Sequence, residues 1–268
     1  MTRMFTSDIR DSSSTRRPDP FPVHILDRCD RPTTLILDDQ VTQKDERDGG
    51  FYKAGKGHYG DHLKKEYKRF VAKHPLSGAL CTMAGALGHM VDEPVESEAG
   101  GNTPWGVSSW APMPKMSGQP APGTDDPAAN ASHIKETAYF LRSDIVGICK
   151  LPRYAVFSHS KHTGERIELN HKYAIAIVID QDWRTASAFN GNDWISNSMS
   201  FISYSTSGFI ACILADYIRR LGYPARAHHA MNYQVAVPPI LLWAGIGEMS
   251  RMGDTIISPF LGPRFKAA

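Results

Sequence analysis

The sequence predicts a mixed α/β fold whose centre is a β–helix–β unit in the second half of the chain. The stretch 173–179 is continuously apolar, which is typical of a strand buried on both faces. Apolar residues then recur at helical spacing over 208–221, and the stretch 225–229 predicts another strand. Two strands joined through a helix favour parallel pairing in one sheet. By contrast, the Pro-, Gly- and Ser-rich stretch 94–130 predicts irregular structure.

The composition is that of an ordinary globular protein without a strong charge. The 268 residues suffice for one large or two small domains. Hydrophobic residues make up 41% and charged residues 22%, and the net charge of +2 gives no argument for a nucleic-acid or membrane partner. No apolar run reaches the roughly 18 residues of a membrane span, and residues 1–20 lack the apolar segment of a secretory signal. We therefore expect a cytoplasmic protein without a membrane span.

The N-terminal part of the chain offers a few short elements. The apolar run 34–37 predicts a strand, and the glycine-rich stretch 51–59 predicts a loop. Within that loop, the Gly-Lys-Gly stretch 55–57 lacks the spacing of a phosphate-binding P-loop and is interpreted as a turn. Amphipathic spacing predicts a helix over 61–73, and a second helix rich in small residues is expected over 78–91.

The irregular stretch 94–130 carries large apolar residues that a plain linker would not need. Trp105 and Trp110 lie within it. Loops of this length are uncommon in compact domains unless they have a function. We therefore expect this segment to lie across the protein body or over a bound ligand.

The remaining elements follow from apolar periodicity and turn residues. They are a helix over 128–142, a strand over 144–149, a hairpin over 153–168, a helix over 240–250 and a Gly/Pro loop over 251–264. The central helix 208–221 is expected to be capped by Ser205, Thr206 or Ser207 and to end before Gly222.

The sequence lacks the residue spacing that common catalytic and metal-binding motifs require. The Gly-Ile-Gly stretch 245–247 has Ser250 where a dinucleotide-binding loop needs its third glycine. His228 and His229 are adjacent on a predicted strand, so they point to opposite faces and cannot bind one metal ion together. We interpret them as core or pocket histidines. No G-x-S-x-G elbow supports a serine hydrolase.

The four cysteines are too scattered for a metal cluster or a disulfide framework. Cys29, Cys81, Cys149 and Cys212 include no C-x-x-C pair. We therefore expect buried apolar thiols and no metal site within this chain.

Two stretches of the C-terminal half together resemble one enzyme family. The order MSFISYSTSGFIACILADYIRRLGYPARAHHAMN followed by GIGEMSRMGDTIISPFLGPRFK resembles the catalytic subunit of cobalamin-dependent reductive dehalogenases. These enzymes share a core with epoxyqueuosine reductase. In lacking an export signal, the sequence resembles the soluble, catabolic branch of the family. The resemblance implies a nitroreductase-like, corrinoid-binding core, partly represented over 126–268, after a variable N-terminal region over 1–125.

The resemblance also implies a catalytic pocket. In that family a corrinoid cobalt in its Co(I) state attacks a halogenated phenol or hydroxybenzoate, and a tyrosine gives a proton to the carbon that loses halide. By position, Tyr204 matches the proton donor and Lys266 its cationic partner, unless a small register error puts Arg264 in that place. Asn232 and Arg264 are expected to bind the substrate in the same pocket. A phenol with a pKa of about 10 is a weak acid at neutral pH, and a nearby ammonium favours its phenolate.

The chain departs from the family at its C-terminal end. The family's C-x₂-C-x₂-C-x₃-C motifs, which hold two 4Fe–4S clusters, follow the Gly-Pro-Arg loop, and the sequence ends at Ala268 before them. We therefore expect an N-terminal fragment that is inactive alone and needs a ferredoxin-like electron-transfer module, as a missing domain or a separate protein. The alternatives are a non-catalytic corrinoid or small-molecule binding module and an epoxyqueuosine-reductase-like protein.

Overall fold

The computed structural model describes residues 21–22, 27, 29–63, 76, 79, 119–188, 195, 198–229 and 233–268. Several sequence predictions fall outside these residues: most of the helices 61–73 and 78–91, most of the loop 94–130 with Trp105 and Trp110, and Asn232.

The helices whose bounds the structure gives are numbered in chain order: α1 (Gly50–Gly55), α2 (Pro127–Phe140), α3 (Trp183–Ala188), α4 (Ser198–Arg220) and α5 (Val237–Trp243). The strands are β1 (Ile145–Lys150), β2 (Tyr173–Asp180), β3 (Glu248–Met249), β4 (Ile256–Ile257) and β5 (Phe265–Ala267). Two single turns of 3-10 helix span Glu46–Asp48 and Arg153–Ala155.

The central sheet has three antiparallel strands in the order β1–β2–β5. Ile145 of β1 lies opposite Val178 of β2, and Lys266 of β5 lies opposite Ile179 on the other edge of β2. β3 and β4 form a separate two-stranded sheet. The combination of helices and sheet confirms the predicted mixed fold class.

β2 is buried on both faces, as its continuous apolar run predicts. Ala176 and Val178 belong to a core shared with α5, whereas Ile177 and Ile179 belong to a core shared with α2 and α4. The alternation of side chains along the strand therefore creates two apolar cores, one on each side of the sheet. β2 becomes the element against which the helices of both cores pack.

The predicted β–helix–β unit is wrong in its last element. Residues 225–229 form no strand, and the second neighbour of β2 is β5 in antiparallel orientation. β1 and β5 occupy the two edges of β2, so no edge remains for the stretch 225–229. Ala227 and His229 are nevertheless buried, which accounts for the strand-like pattern of the sequence.

The central helix α4 begins at Ser198, well before the predicted start at residue 208. The three residues predicted as caps, Ser205, Thr206 and Ser207, lie inside the helix. Ser207 donates its hydroxyl to the backbone oxygen of Tyr204 at 3.0 Å, which satisfies a buried serine within a helix. The end of the helix is as predicted, since Gly222 follows it with a φ of 87°. As a result, Tyr204 lies within α4 and not before it.

Two other local predictions are confirmed. α2 begins where Asp126 accepts a hydrogen bond from the backbone N–H of Ala128 at 2.8 Å, and β1 follows it. The hairpin over 153–168 is confirmed by an antiparallel bridge between His159 and Arg166.

Three local predictions are wrong. Residues 51–59, predicted as a loop, contain most of α1. The stretch 34–37 forms no strand, and its two leucines are exposed, so burial gives it no reason to pair. The helix predicted over 240–250 ends at Trp243, because Gly245 adopts a φ of 72° and the chain continues into β3.

Among the described helices, α4 is long and apolar enough to cross a membrane by length and composition alone. Half of its apolar window (50%) is buried inside the protein. The core helix of a soluble protein passes the same test, so this feature by itself does not indicate a membrane protein.

Candidate active site

Tyr204 lies on the face of α4 that packs against the central sheet. Tyr204, Gly208 and Ala211 follow one another at helical spacing and therefore share one stripe of the helix. Gly208 and Ala211 are buried, and a Cβ built at Gly208 would lie 3.3 Å from Cβ of His229. α4 contacts both β2 and β5. Tyr204 itself is half-buried.

Lys266 reaches Tyr204 from the edge strand of the sheet. It is the middle residue of β5 and lies opposite Ile179 of β2. Its Nζ lies over the Tyr204 ring, 5.0 Å from the ring centroid. A cation over an aromatic face is attracted by about 0.5–1 kcal/mol when exposed, and by more when shielded from water. The structure thus brings together the residues that the sequence predicts as proton donor and cationic partner.

Arg264 has a different partner. Its Nε and Nη2 donate to the two carboxylate oxygens of Asp180 at 2.8 and 3.2 Å. Its guanidinium also lies over the Trp183 ring, 5.4 Å from the centroid. The hydrogen bonds that Arg264 donates to Asp180, with the charge of that carboxylate, raise the pKa of Arg264. The cation at Tyr204 is therefore Lys266, and Arg264 is engaged by Asp180.

A second tyrosine, Tyr233, lies beside this pair and is missed by the sequence reasoning. Its hydroxyl donates to the backbone oxygen of Ala267 at 2.7 Å. Burial raises the pKa of Tyr233, and the neighbouring Tyr204 raises it further. Tyr233 directly follows Asn232, but no spacing in the sequence indicates that its hydroxyl binds β5.

The predicted substrate-binding residues are not tested by this geometry. Asn232 lies outside the described residues. Arg264 is partly buried, with 20% of its side chain exposed, and its two hydrogen bonds go to Asp180. The role of both residues in substrate binding stays a prediction.

His228 and His229 lie in the interior of the protein, and among the residues that the structure describes they belong to no group of three side chains that could hold a metal ion. Nδ1 of His228 accepts hydrogen bonds from the Arg226 guanidinium at 3.1 Å and from the backbone N–H of Gln234 at 3.2 Å. Burial, together with the charge of Arg226, lowers the pKa of His228 to about 3. His229 is only 4% exposed. His228 is therefore neutral at physiological pH, with its proton on Nε2.

The described cysteines do not form an iron–sulfur site. Burial raises the pKa of the Cys149 thiol to about 11 and that of Cys212 to about 12, so neither is a thiolate at neutral pH. Cys29 is exposed, so the prediction of a buried thiol is wrong for that residue, and Cys81 lies outside the described residues. Within the described ranges, no three His, Cys, Asp or Glu side chains come close enough to hold a metal ion.

The chain is similar to solved structures of reductive dehalogenases. A structure of the catabolic reductive dehalogenase NpRdhA matches 92% of this chain at 33% sequence identity, with a TM-score of 0.73. A structure of the same enzyme in complex with 3-bromo-4-hydroxybenzoic acid has a TM-score of 0.72 at 33% identity and 92% coverage. A reductive dehalogenase structure described as suggesting a mechanism for B12-dependent dehalogenation has a TM-score of 0.71, also at 33% identity over 92% of the chain.

These similarities are partial with respect to the larger proteins. The chain covers 33% of each of these structures, so it spans about a third of their length. The resemblance seen in the sequence and the fold it implies are confirmed for that third. No family model and no curated protein matches the chain.

Proposed function

We propose that this chain forms part of a corrinoid-dependent reductive dehalogenase that acts on a halogenated aromatic, such as a halophenol or a halo-hydroxybenzoate. The observation that carries the proposal is the placement of Lys266 over Tyr204. This arrangement pairs a proton donor with a cation that stabilises its conjugate base. The similarity to a dehalogenase that binds a bromo-hydroxybenzoate supports the substrate class.

The described residues fit the proton-transfer half of this reaction. Replacing an aromatic halogen by hydrogen, with loss of halide, consumes two electrons and one proton. A bound corrinoid would supply the electrons to the carbon–halogen bond. The half-buried Tyr204 fits the role of proton source. A phenol can donate its hydroxyl proton, whereas the electrons come from elsewhere.

The protein's own residues then have separable tasks. Tyr204 donates its hydroxyl proton to the carbon that loses halide. Lys266 stabilises the phenolate that remains, and general-acid help of this kind is typically worth about 10²–10⁴-fold in rate. Tyr233 does not compete for the role, because its buried hydroxyl already donates to the backbone oxygen of Ala267.

The rest of the machinery is proposed to lie outside the described residues. Iron–sulfur clusters would deliver the electrons from a ferredoxin-like module, in further sequence or in a separate protein, so the chain alone would not turn over. Residues 126–268 would form part of the corrinoid and substrate domain after the variable region 1–125, in a cytoplasmic enzyme. Asn232 and Arg264 are proposed to line the substrate pocket.

The test uses enzyme assembled with corrinoid and a reduced ferredoxin-type donor. We expect Tyr204→Phe to lower kcat for dehalogenation about 10²–10⁴-fold, because the variant has no proton to donate. Corrinoid binding, followed by visible absorption, should be unchanged. Lys266→Met should lower kcat in the same direction by a smaller factor, since the proton remains but the phenolate loses its cation.

The matched control is Tyr217→Phe on the same helix. The Tyr217 hydroxyl contacts Nε2 of His133 at 2.6 Å, on another part of α4. This variant should keep its turnover. Near-normal turnover of Tyr204→Phe would remove Tyr204 from the mechanism. If the wild-type protein bound halophenols but no corrinoid in an equilibrium titration, a small-molecule binding role would be favoured over dehalogenation.

A further inference from the structure

The strand that carries Lys266 is short, and its pairing extends through Ala268, which exchanges two backbone hydrogen bonds with Ile177. β5 has three residues, Phe265–Ala267, on the edge of the sheet. A strand of this length adds few ladder hydrogen bonds, and strands depend on their partners for stability. A slip of one residue along β2 would turn Lys266 to the opposite face of the sheet, away from Tyr204. The site therefore needs a contact that sets the register of β5.

Arg264 provides such a contact immediately before the strand. Its side chain donates hydrogen bonds to both carboxylate oxygens of Asp180, at 2.8 and 3.2 Å. Its backbone oxygen accepts a hydrogen bond from the N–H of Gln181 at 3.1 Å. The side chain and the backbone of Arg264 thus bind neighbouring residues at the end of β2. A bidentate pair of this kind fixes direction as well as distance.

The backbone of Asp180 is also held in place. The backbone N–H of Asp180 donates to Oδ2 of Asp144 at 2.7 Å, and Asp180 lies opposite Phe265 in the ladder. Only 26% of the Asp180 side chain and 20% of the Arg264 side chain are exposed. The pair is therefore shielded from water better than an ordinary surface ion pair, which contributes little.

Arg264 and Lys266 lie two residues apart in extended chain, so their side chains point to the same side. That side carries Trp183, over which the Arg264 guanidinium lies, and Tyr204, over which the Lys266 ammonium lies. We propose that Arg264 is a positioning residue that fixes the register of β5 through Asp180 and thereby holds the Lys266 ammonium over Tyr204. The chemical meaning of this role rests on the proposed function, but its geometry is measurable without turnover.

The experiment uses the 268-residue chain labelled with ¹³C at the tyrosine Cζ. Tyr204→Phe assigns the Tyr204 resonance by its disappearance, and Lys266→Met gives the resonance position without the ammonium. Arg264→Gln should move the Tyr204 resonance at least half of the way toward the position in Lys266→Met. Arg264→Lys keeps the charge but loses the bidentate hydrogen bonding to Asp180. It should shift the Tyr204 resonance in the same direction by a smaller amount. Exchange of the Ala268 amide, which donates to Ile177 at 2.9 Å, should accelerate in Arg264→Gln by about tenfold.

The control is Arg219→Gln, which removes an ion pair of similar exposure on α4. Arg219 pairs with Asp216 at 3.4 Å, and 21% of its side chain is exposed. This variant should leave the Tyr204 resonance unchanged. If Arg264→Gln does not fold, the milder variants Arg264→Lys and Asp180→Asn decide the question.

An unchanged Tyr204 resonance in folded Arg264 and Asp180 variants would overturn the positioning role. The measurement does not depend on corrinoid or on dehalogenation. A shifted resonance together with normal turnover of Tyr204→Phe would keep the positioning role and reject the proposed function. The two failures are therefore distinguishable.

Discussion

At the scale of single residues, two neighbouring tyrosines differ in what their hydroxyls can do. Tyr233 is buried and donates to the backbone oxygen of Ala267, and burial raises its pKa. Tyr204 is half-buried beneath the Lys266 ammonium. The same functional group is thus a structural hydrogen bond in one position and a candidate acid in the other. Surroundings, and not residue type, separate the two roles.

Tyr233→Phe tests the structural role. Removing one hydrogen bond to β5 should lower the free energy of unfolding by about 0.5–1.5 kcal/mol at pH 7, measured by urea unfolding. The folded pKa of Tyr233 is raised above its unfolded value of about 10. Its contribution to stability is therefore present below that pH and is lost as the pH rises above it. The stability gap between variant and wild type should narrow above pH ~10.

The control for this prediction is Tyr173→Phe, because that ring is 60% exposed at the start of β2. We expect the free energy of unfolding of this variant to stay close to that of wild type both at pH 7 and above pH ~10. A Tyr233→Phe variant as stable as wild type at pH 7 would show that the hydrogen bond to Ala267 adds nothing to β5.

At the scale of elements, local pattern was enough for some parts of the fold and not for others. β2 was predictable because seven successive apolar residues report burial on both faces directly. The start of α4 was not, because serines that suit a cap also fit inside a helix when they bond back to its carbonyls. β5 has three residues, and only its position beside β2 makes it a strand.

The candidate site shows the same division. Tyr204 and Lys266 could be named from the sequence through a family resemblance. Their contact could not, since it joins a helix and an edge strand whose pairing depends on the whole sheet. The parallel pairing predicted for 225–229 was wrong for the same reason: no local pattern reports that β5 takes the second edge of β2.

Gly147 of β1 allows a close approach between the sheet and the end of α5. A Cβ built there would lie 2.6 Å from the backbone oxygen of Ala244 and 2.9 Å from Cδ1 of Ile246. Gly147→Ala should therefore cost about 1–3 kcal/mol, because backbone must move to admit the methyl group. Thermal or urea unfolding measures the loss.

Gly55→Ala is the matched control, because a Cβ at the end of α1 would meet nothing within 4 Å. It should be neutral or stabilising by up to about 1 kcal/mol, since Ala favours helix over Gly. Equal stability of the two alanine variants would contradict the close approach of α5 to β1.

At the scale of the whole molecule, Glu248 of β3 ties the N-terminal part of the chain to the C-terminal part. Its carboxylate accepts hydrogen bonds from the backbone N–H groups of Thr33 at 3.2 Å and Thr34 at 2.8 Å, and from the Thr34 hydroxyl. In return, the N–H of Met249 donates to Oγ1 of Thr34 at 3.1 Å. Some 214 residues separate the two sides, so this is a tertiary contact without local support.

The charge state of Glu248 determines the strength of this contact. Burial acts to raise the pKa of Glu248, but the hydrogen bonds from Thr33 and Thr34 outweigh it and lower the pKa. A carboxyl whose folded pKa is lowered stabilises the fold above its unfolded pKa of about 4.3 and loses that effect as the pH falls further. The connection between the two parts of the chain should therefore be complete at neutral pH and weaken in acid.

Glu248→Ala should release the segment around Thr34 while the central sheet stays folded, because the contact lies outside that sheet. At neutral pH we expect a loss of about 1 kcal/mol in the free energy of unfolding, below the usual range for bonds to a charged group because the site is partly exposed. Trypsin should cut faster after Lys44. The control is Glu168→Ala, because the Glu168 side chain is 77% exposed. Trypsin should cut this variant at the wild-type rate. The stability gap between Glu248→Ala and wild type should shrink below pH ~4, whereas a gap that grows in acid would mean that the protonated carboxyl holds the segment.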